Sequence, residues 1–493
     1  MSTQNTLKTL LMTFGAVAAL TACGGGADDV ASPGEGSYPP PPTTTPTPPP
    51  PTTPTPPPPS GGAAEACPEG FDDLGTFADD SLRSCLLPTR VVGELTVPYV
   101  EGVAYYIRGR TDVGQDQGGD ATTPIEGTES GTLTIEPGVT LYGASGSDFL
   151  VVNRGSQLVA DGEADAPIVF TSRQNLLGTA GEDSIGQWGG LVILGRAPIN
   201  TCPDGVTYGS ASCETQVEGT NAFYGGNAED DSSGTLRYMR VQYSGFAVSA
   251  DNELQNITLA GVGAGTTIEY VQVHNSSDDG IEFFGGTVNA SHMVFTGNDD
   301  DSIDTDSGWN GAMQYGIVIQ RANGGDRMNE MSSASGRTPA SNPKIANFTY
   351  VGNTTGGAGI VLNSGTDSEF YNVVVTRPDG GTGAAAACLD VDDATTMGTF
   401  ESVFFSCPTA YDDDADGVAQ ALFEAGSNNV ADGTSTLSDT FVNGANENGV
   451  TPYADLESVS DFFENPGYIG AVQNAGDTWW QGWTCGLDAD TSC

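Results

Sequence analysis

The segment Tyr270–Glu282 recurs 22 residues later as His292–Asp304. In each copy a β-rich run, Tyr270-Val271-Gln272-Val273 or His292-Met293-Val294-Phe295, leads through an acidic turn to an apolar residue followed by an acid, Ile281-Glu282 and Ile303-Asp304. A looser third copy falls 25 residues further on. There Asp326-Arg327-Met328-Asn329 takes the places of Asp279-Gly280-Ile281-Glu282 and Asp301-Ser302-Ile303-Asp304. A fourth, Ala358-Gly359-Ile360-Val361, keeps the apolar position and loses the acids. A strand-and-turn unit this short cannot enclose a core of its own, so it must stack on its neighbours.

The same texture extends beyond the repeat. Phe149-Leu150-Val151-Val152, Pro167-Ile168-Val169-Phe170-Thr171 and Leu191-Val192-Ile193-Leu194 are short β-rich runs punctuated by Gly, Asn and Asp, and no helical period persists among them. Propeller blades need units of about 40 residues, and a sandwich would not repeat its turn acids in register. The opening Leu133-Thr134-Ile135-Glu136-Pro137-Gly138-Val139 resembles the first coil of exported right-handed parallel β-helix proteins of the pectate-lyase-like superfamily. Asp278-Asp279-Gly280-Ile281-Glu282-Phe283-Phe284-Gly285-Gly286 and Ser341-Asn342-Pro343-Lys344-Ile345 are similar to phrases in exported β-helix lipoproteins. The resemblance implies an all-β fold, a right-handed parallel β-helix solenoid with disulfide-linked ends. The expected layout is an N-terminal cap and first strands over 65–130, the β-helix over 131–455, and a C-terminal cap over 456–493 that includes Asp461-Phe462-Phe463-Glu464. Trp479-Trp480-Gln481-Gly482-Trp483 then reads as the cover of the last coil, with a sugar-stacking surface as the alternative.

Residues 1–22 carry one charge, Lys8, before a short apolar run ending at Leu20, the pattern of a secretory signal. Leu20-Thr21-Ala22-Cys23 resembles the lipobox of bacterial lipoproteins. That likeness implies cleavage before Cys23, acylation of its thiol and new N-terminus with palmitate-type chains, and, because Gly24 is not Asp, the outer membrane. From 23 to 64 runs a linker, nearly all Pro and Thr over Pro39–Pro59, which favours polyproline II and spans roughly 65 Å at 3.1 Å per residue. Nucleic acid is excluded as a partner: the chain sets 15 basic against 64 acidic residues, and Lys8 and Lys344 are its only lysines.

Eight cysteines remain after Cys23, and no Cys-x-x-Cys occurs, which argues against zinc-ribbon and redox roles. In an exported chain they read as structural disulfides. Of the 105 connectivities possible for eight cysteines, the sequence-local one is expected: Cys67–Cys85, Cys202–Cys213, Cys388–Cys407 and Cys485–Cys493.

Stacked coils lie about 4.8 Å apart, so Asp278 and Asp279 should lie beside Asp300 and Asp301, Glu282 beside Asp304, with Asp326 continuing the row. Carboxylates this close repel unless cations neutralise them, and hard oxygens at several heights suit Ca²⁺. Hydrogen bonding to turn amides, or a merely solvated acidic face, is the alternative. Asp412-x-Asp414-x-Asp416-Gly417 has the spacing of half a calcium loop, but Phe423 stands at its twelfth position and Glu424 one residue late.

Common hydrolase signatures are missing, and His274 and His292 are the only histidines, both reading as structural. A calcium-dependent polysaccharide lyase would need a base beside the metal, with Arg321, Arg327 or Lys344 as candidates. A glycosidase would pair carboxylates from Asp300, Asp301 and Asp304. The reading carried forward is an outer-membrane-anchored β-helix that binds polysaccharide or a partner outer-membrane protein, or lends structure there, with Ca²⁺ on the acidic ladder. A lyase or glycosidase is the alternative.

Overall fold

The computed structural model describes residues 61–249, 252–412, 417–487 and 493. The expected signal segment, Cys23, the Pro/Thr-rich run, Asp414 and Asp416 lie outside the described residues. Alternating apolar residues drive the strands, and the coil strands pair in parallel with those a coil later, as Ile281–Phe284 does with Ile303–Asp306, while the first strand, Asp72–Phe77, pairs antiparallel with Leu82–Leu86. The coils stack into an 11-stranded and a 17-stranded sheet, giving the right-handed parallel β-helix. Ile281, Phe283, Ile303 and their counterparts fill one interior core running from Phe71 to Phe423.

In the larger sheet the long strands bend at a left-handed residue. Tyr238, Tyr270, His292, Tyr315, Asn347, Asn372 and Ser402 have φ of 45, 55, 54, 62, 55, 56 and 58°, and neighbouring register pairs place them in one column. Asn tolerates that conformation and bulky residues resist it. Here the rings recover energy by stacking, with centroids 4.5, 4.3 and 4.8 Å apart from Tyr238 through Tyr270 and His292 to Tyr315.

Stacking starts before residue 131: Leu82–Leu86 already pairs in parallel with Val103–Tyr106. At the far end the last described strand is Thr409–Asp412, and the helix Val418–Ala425 closes the core, its Phe423 ring 4.3 Å from Phe405. The expected 456–493 end cap is therefore corrected. The tail runs back along the bent corner instead, because outward side-chain amides there satisfy its backbone. Asn372 exchanges two hydrogen bonds with Tyr453 (3.1 and 2.7 Å), Gln314 two with Glu464 (2.8 and 2.8 Å) and Gln272 two with Cys485 (2.9 and 2.8 Å). Trp483 meets Tyr238 and Tyr270 edge-on and Trp479 meets His292, on middle coils rather than the last.

The disulfides join Cys67 to Cys85, Cys202 to Cys213, Cys388 to Cys407 and Cys485 to Cys493. Between Gly190–Leu194 and Gly234–Gln242 the chain leaves the coil as an insertion held by Cys202–Cys213. Its Ile199, Val217 and Tyr224 cover Val151, Val192, Leu194 and Ala260 on the outer face of the 11-stranded sheet.

Candidate metal centre

Outward side chains of the 11-stranded sheet form a column in register. Past the insertion it reads Thr258, Glu282, Asp304, Glu330, Val361. Glu282 and Asp304 face out because Ile281, Phe283, Ile303 and Thr305 face the core. The turns before these strands add two more columns. Asp301 N–H donates to Asp279 Oδ1 (3.0 Å) and Arg327 N–H to Asp301 Oδ1 (2.7 Å), so one oxygen of each acid braces the next coil. Amide bonding, the alternative weighed for these acids, thus accounts for part of their capacity only.

Carboxylate oxygens of these acids also converge. One carboxylate oxygen each from Asp278, Asp279 and Asp300 lie within 4.8 Å of one another, as do those of Asp279, Glu282 and Asp304, and of Asp300, Asp301 and Asp326. Asp279 and Asp300 each serve two triads. Two unit charges 4.8 Å apart repel by about 3.5 kcal/mol at an effective dielectric of about 20. Asp279, Glu282 and Asp301 are only 7, 7 and 3% exposed. Burial first, then neighbouring acids, push Asp278, Asp279, Glu282, Asp301 and Asp304 well above the usual carboxylate range. Burial, Asp326 and Glu330 bring Asp300 up to about 6.

Against these acids stands the Arg327 guanidinium, 2.5 Å from Asp326 and 3.2 Å from Glu330. Burial would lower its pKa, but Asp301, Glu330 and Asp326 outweigh that and raise it. Carboxylates that repel at close range and lack enough countercharge could hold a metal ion, and the donor set is that of a hard cation.

Residues 120–484 match the family model of the pectate-lyase-like β-helix domain. The chain belongs to that family. No curated protein and no solved structure matches it.

Within this pectate-lyase-like β-helix the third acidic copy is shifted by one residue from its expected alignment. Asp304 pairs with Glu330, so Asp326 falls in line with Asp278 and Asp300, and Arg327 with Asp279 and Asp301. The alignment keyed on Asp326 missed Glu330, which sits in the strand Asn329–Met331 with an apolar neighbour, Met331, on one side only. Glu218 was invisible to sequence reasoning: the insertion brings it to Gln255 and Glu282, where burial raises its pKa.

Of the partial calcium loop, Asp414 and Asp416 lie outside the described residues. A strand precedes it, Phe423 is buried in the core, and Glu424 faces solvent and accepts from Gln420 Nε2 (2.6 Å). Of the three candidate bases only Arg327 touches the ladder. Arg321 pairs with Asp299 (3.0 Å) and Asp183 (3.4 Å), and Lys344 lies on the other sheet, 2.6 Å from Asn342 Oδ1. His274 bonds Thr296 Oγ1 at 2.8 Å and His292 stands in the aromatic column; burial drives them down to about 3 and about 4.

Proposed function

We propose that the protein is a lipid-anchored module of the outer membrane whose ladder holds Ca²⁺ and, through it, carboxylate-bearing polysaccharide. The observation that carries this reading is the set of overlapping carboxylate triads on adjacent coils, faced by one guanidinium. The residues that would hold the ion are Asp278, Asp279, Glu282, Asp300, Asp301, Asp304 and Asp326. Calcium accepts 6–8 oxygens in flexible geometry, so a bound ion can share protein ligands with a uronate carboxylate. Without it a chain of net charge −49 would repel such a polymer. The lipobox-like Leu20-Thr21-Ala22-Cys23 and the Pro/Thr run support the anchor and its stalk.

Binding fits better than turnover. A lyase base must lose its proton near the metal, and Arg327 has its pKa pushed the wrong way by the acids it touches. The test is calorimetry of the full chain with oligogalacturonate, with calcium and with chelator, alongside an assay for unsaturated or reducing products. Saturable, calcium-dependent binding without products is expected, and it should weaken in E282Q/D304N, which removes one of the three triads. Products that disappear in D300N or R327A would replace the module with an enzyme. Calcium binding with no polysaccharide affinity would leave an outer-membrane protein as the partner class to pursue.

A further inference from the structure

The column on the 11-stranded sheet also runs to the other side of the insertion, where Val151 is preceded by Asp112 and Arg90. A cleft of about 470 Å³ opens there between the first coils and the insertion, within the size range of small-ligand sites. Its polar groups are held in place beforehand. Asp112 Oδ1 accepts from Arg110 Nε (3.0 Å), Arg110 Nη2 (2.8 Å) and Asn153 Nδ2 (2.9 Å), while Arg110 Nη1 donates to Asn221 Oδ1 (2.6 Å) on the insertion. Among the described residues, Asp112 Oδ2 receives no hydrogen bond and Arg90 pairs with no acid. A free acceptor and a free donor thus stand on neighbouring strands. At the rim Phe223 leaves 43% of its surface in water, while the adjacent Tyr224 is buried and anchors the segment.

We infer that this cleft binds a neutral saccharide unit. Hydroxyl groups both donate and accept, and so match a rigid mix of Arg, Asp and Asn side chains. A ring at the mouth offers an apolar face to sugar C–H groups. The lining charge balances, Arg90 and Arg110 against Asp112 and Asp116, which favours neither a cation nor an anion. The insertion covers Val151 and Val192 between the cleft and the ladder, so this site works without the metal and stands apart from the calcium reading.

The experiment titrates the full chain, in chelator, with cellohexaose, maltohexaose, laminarihexaose and xylohexaose, and in parallel with trigalacturonate. At least one neutral hexaose should bind saturably with chelator present, and F223A and R90A should each weaken that binding about tenfold while melting like the wild type. Both residues are exposed, so loss of fold does not mimic loss of binding. Failure of every neutral hexaose, or binding unchanged in both variants, overturns the inference. Binding confined to trigalacturonate with calcium also overturns it and assigns saccharide affinity to the ladder alone.

Discussion

The outer face of the 11-stranded sheet changes character within a few coils. Under the insertion the column reads Val151, Val192, and beyond it Glu282, Asp304, Glu330. Both stretches have the same inward partners, Leu191 and Ile193 on one side and Ile281 and Phe283 on the other. The interior therefore sets the fold, and the outward residue is free to follow whatever covers it. Apolar side chains appear where the insertion lays Ile199, Val217 and Tyr224 on the sheet; carboxylates gather in the coils beyond, where the insertion contributes Glu218 instead. The harshest way to break that contrast is to exchange the two surfaces. Val192 is 1% exposed, so V192D leaves a charge under the insertion with no partner and should cost more than about 4 kcal/mol. Hydrogen exchange should show Gly190–Leu194 and the insertion opening together. Unchanged protection would mean the insertion is loosely seated and the contrast is one of composition only.

On the acidic side the comparable lever is the ion. A ligand at about 100 times its Kd adds about 2.7 kcal/mol per site, so calcium should raise the melting temperature of the chelated chain. It should slow exchange at Ile281–Phe284 and Ile303–Asp306 while leaving Gly190–Leu194 unchanged. E282Q/D304N, which removes one of the three triads, should respond less to calcium and, in chelator, be more stable than the wild type, because two repelling charges are gone. A wild-type chain indifferent to calcium would remove the metal reading.

The sequence exposed the interior and most of the ladder for one reason: both depend on local alternation repeated once per coil, as in Ile281-Glu282 and Ile303-Asp304. Legibility ended where contacts stopped being periodic. The third copy slipped by one residue because the acid Asp326 was matched instead of the inward Asn329. Glu218 reaches the ladder through an insertion whose path no repeat encodes. The tryptophans read as an end cap because aromatic residues beside a cysteine suit any apolar surface. Nothing local to them specifies a corner whose stacked rings come from Tyr238, Tyr270 and His292.

Acid should distinguish the two stretches more gently. Burial, Asp326 and Glu330 hold folded Asp300 at about 6, against 3.8 in an open chain. Its proton therefore favours the folded state: the gain is complete below 3.8 and is lost as pH rises through 6. Between pH 7 and pH 5 the chelated protein should gain about 1.3 kcal/mol from this group. The half-buried His274 and His292, lowered to about 3 and about 4, act in the opposite sense by resisting protonation that the open chain accepts below about 6.5. Comparing wild type with D300N cancels them. Saturating calcium should abolish the difference or reverse its sign, since the ion needs the carboxylates ionised. An equal response in both proteins in chelator would mean that Asp300 is better solvated than its surroundings imply.

The smallest effect tests where the acidic stretch ends. Arg327 takes the third place in the column begun by Asp279 and Asp301, and its guanidinium neutralises Asp326 and Glu330. The ladder is thus open to an external cation at Asp278, Asp279 and Glu282 and partly supplied with an internal one at its other end. Both acids that Arg327 pairs with retain some exposure, so R327Q should cost only about 1 kcal/mol in chelator. If the guanidinium stands in for an ion, calcium should recover that loss and the variant should bind more calcium than the wild type. A loss that calcium leaves untouched would make Arg327 a packing residue, and the acidic stretch would then end at Asp304.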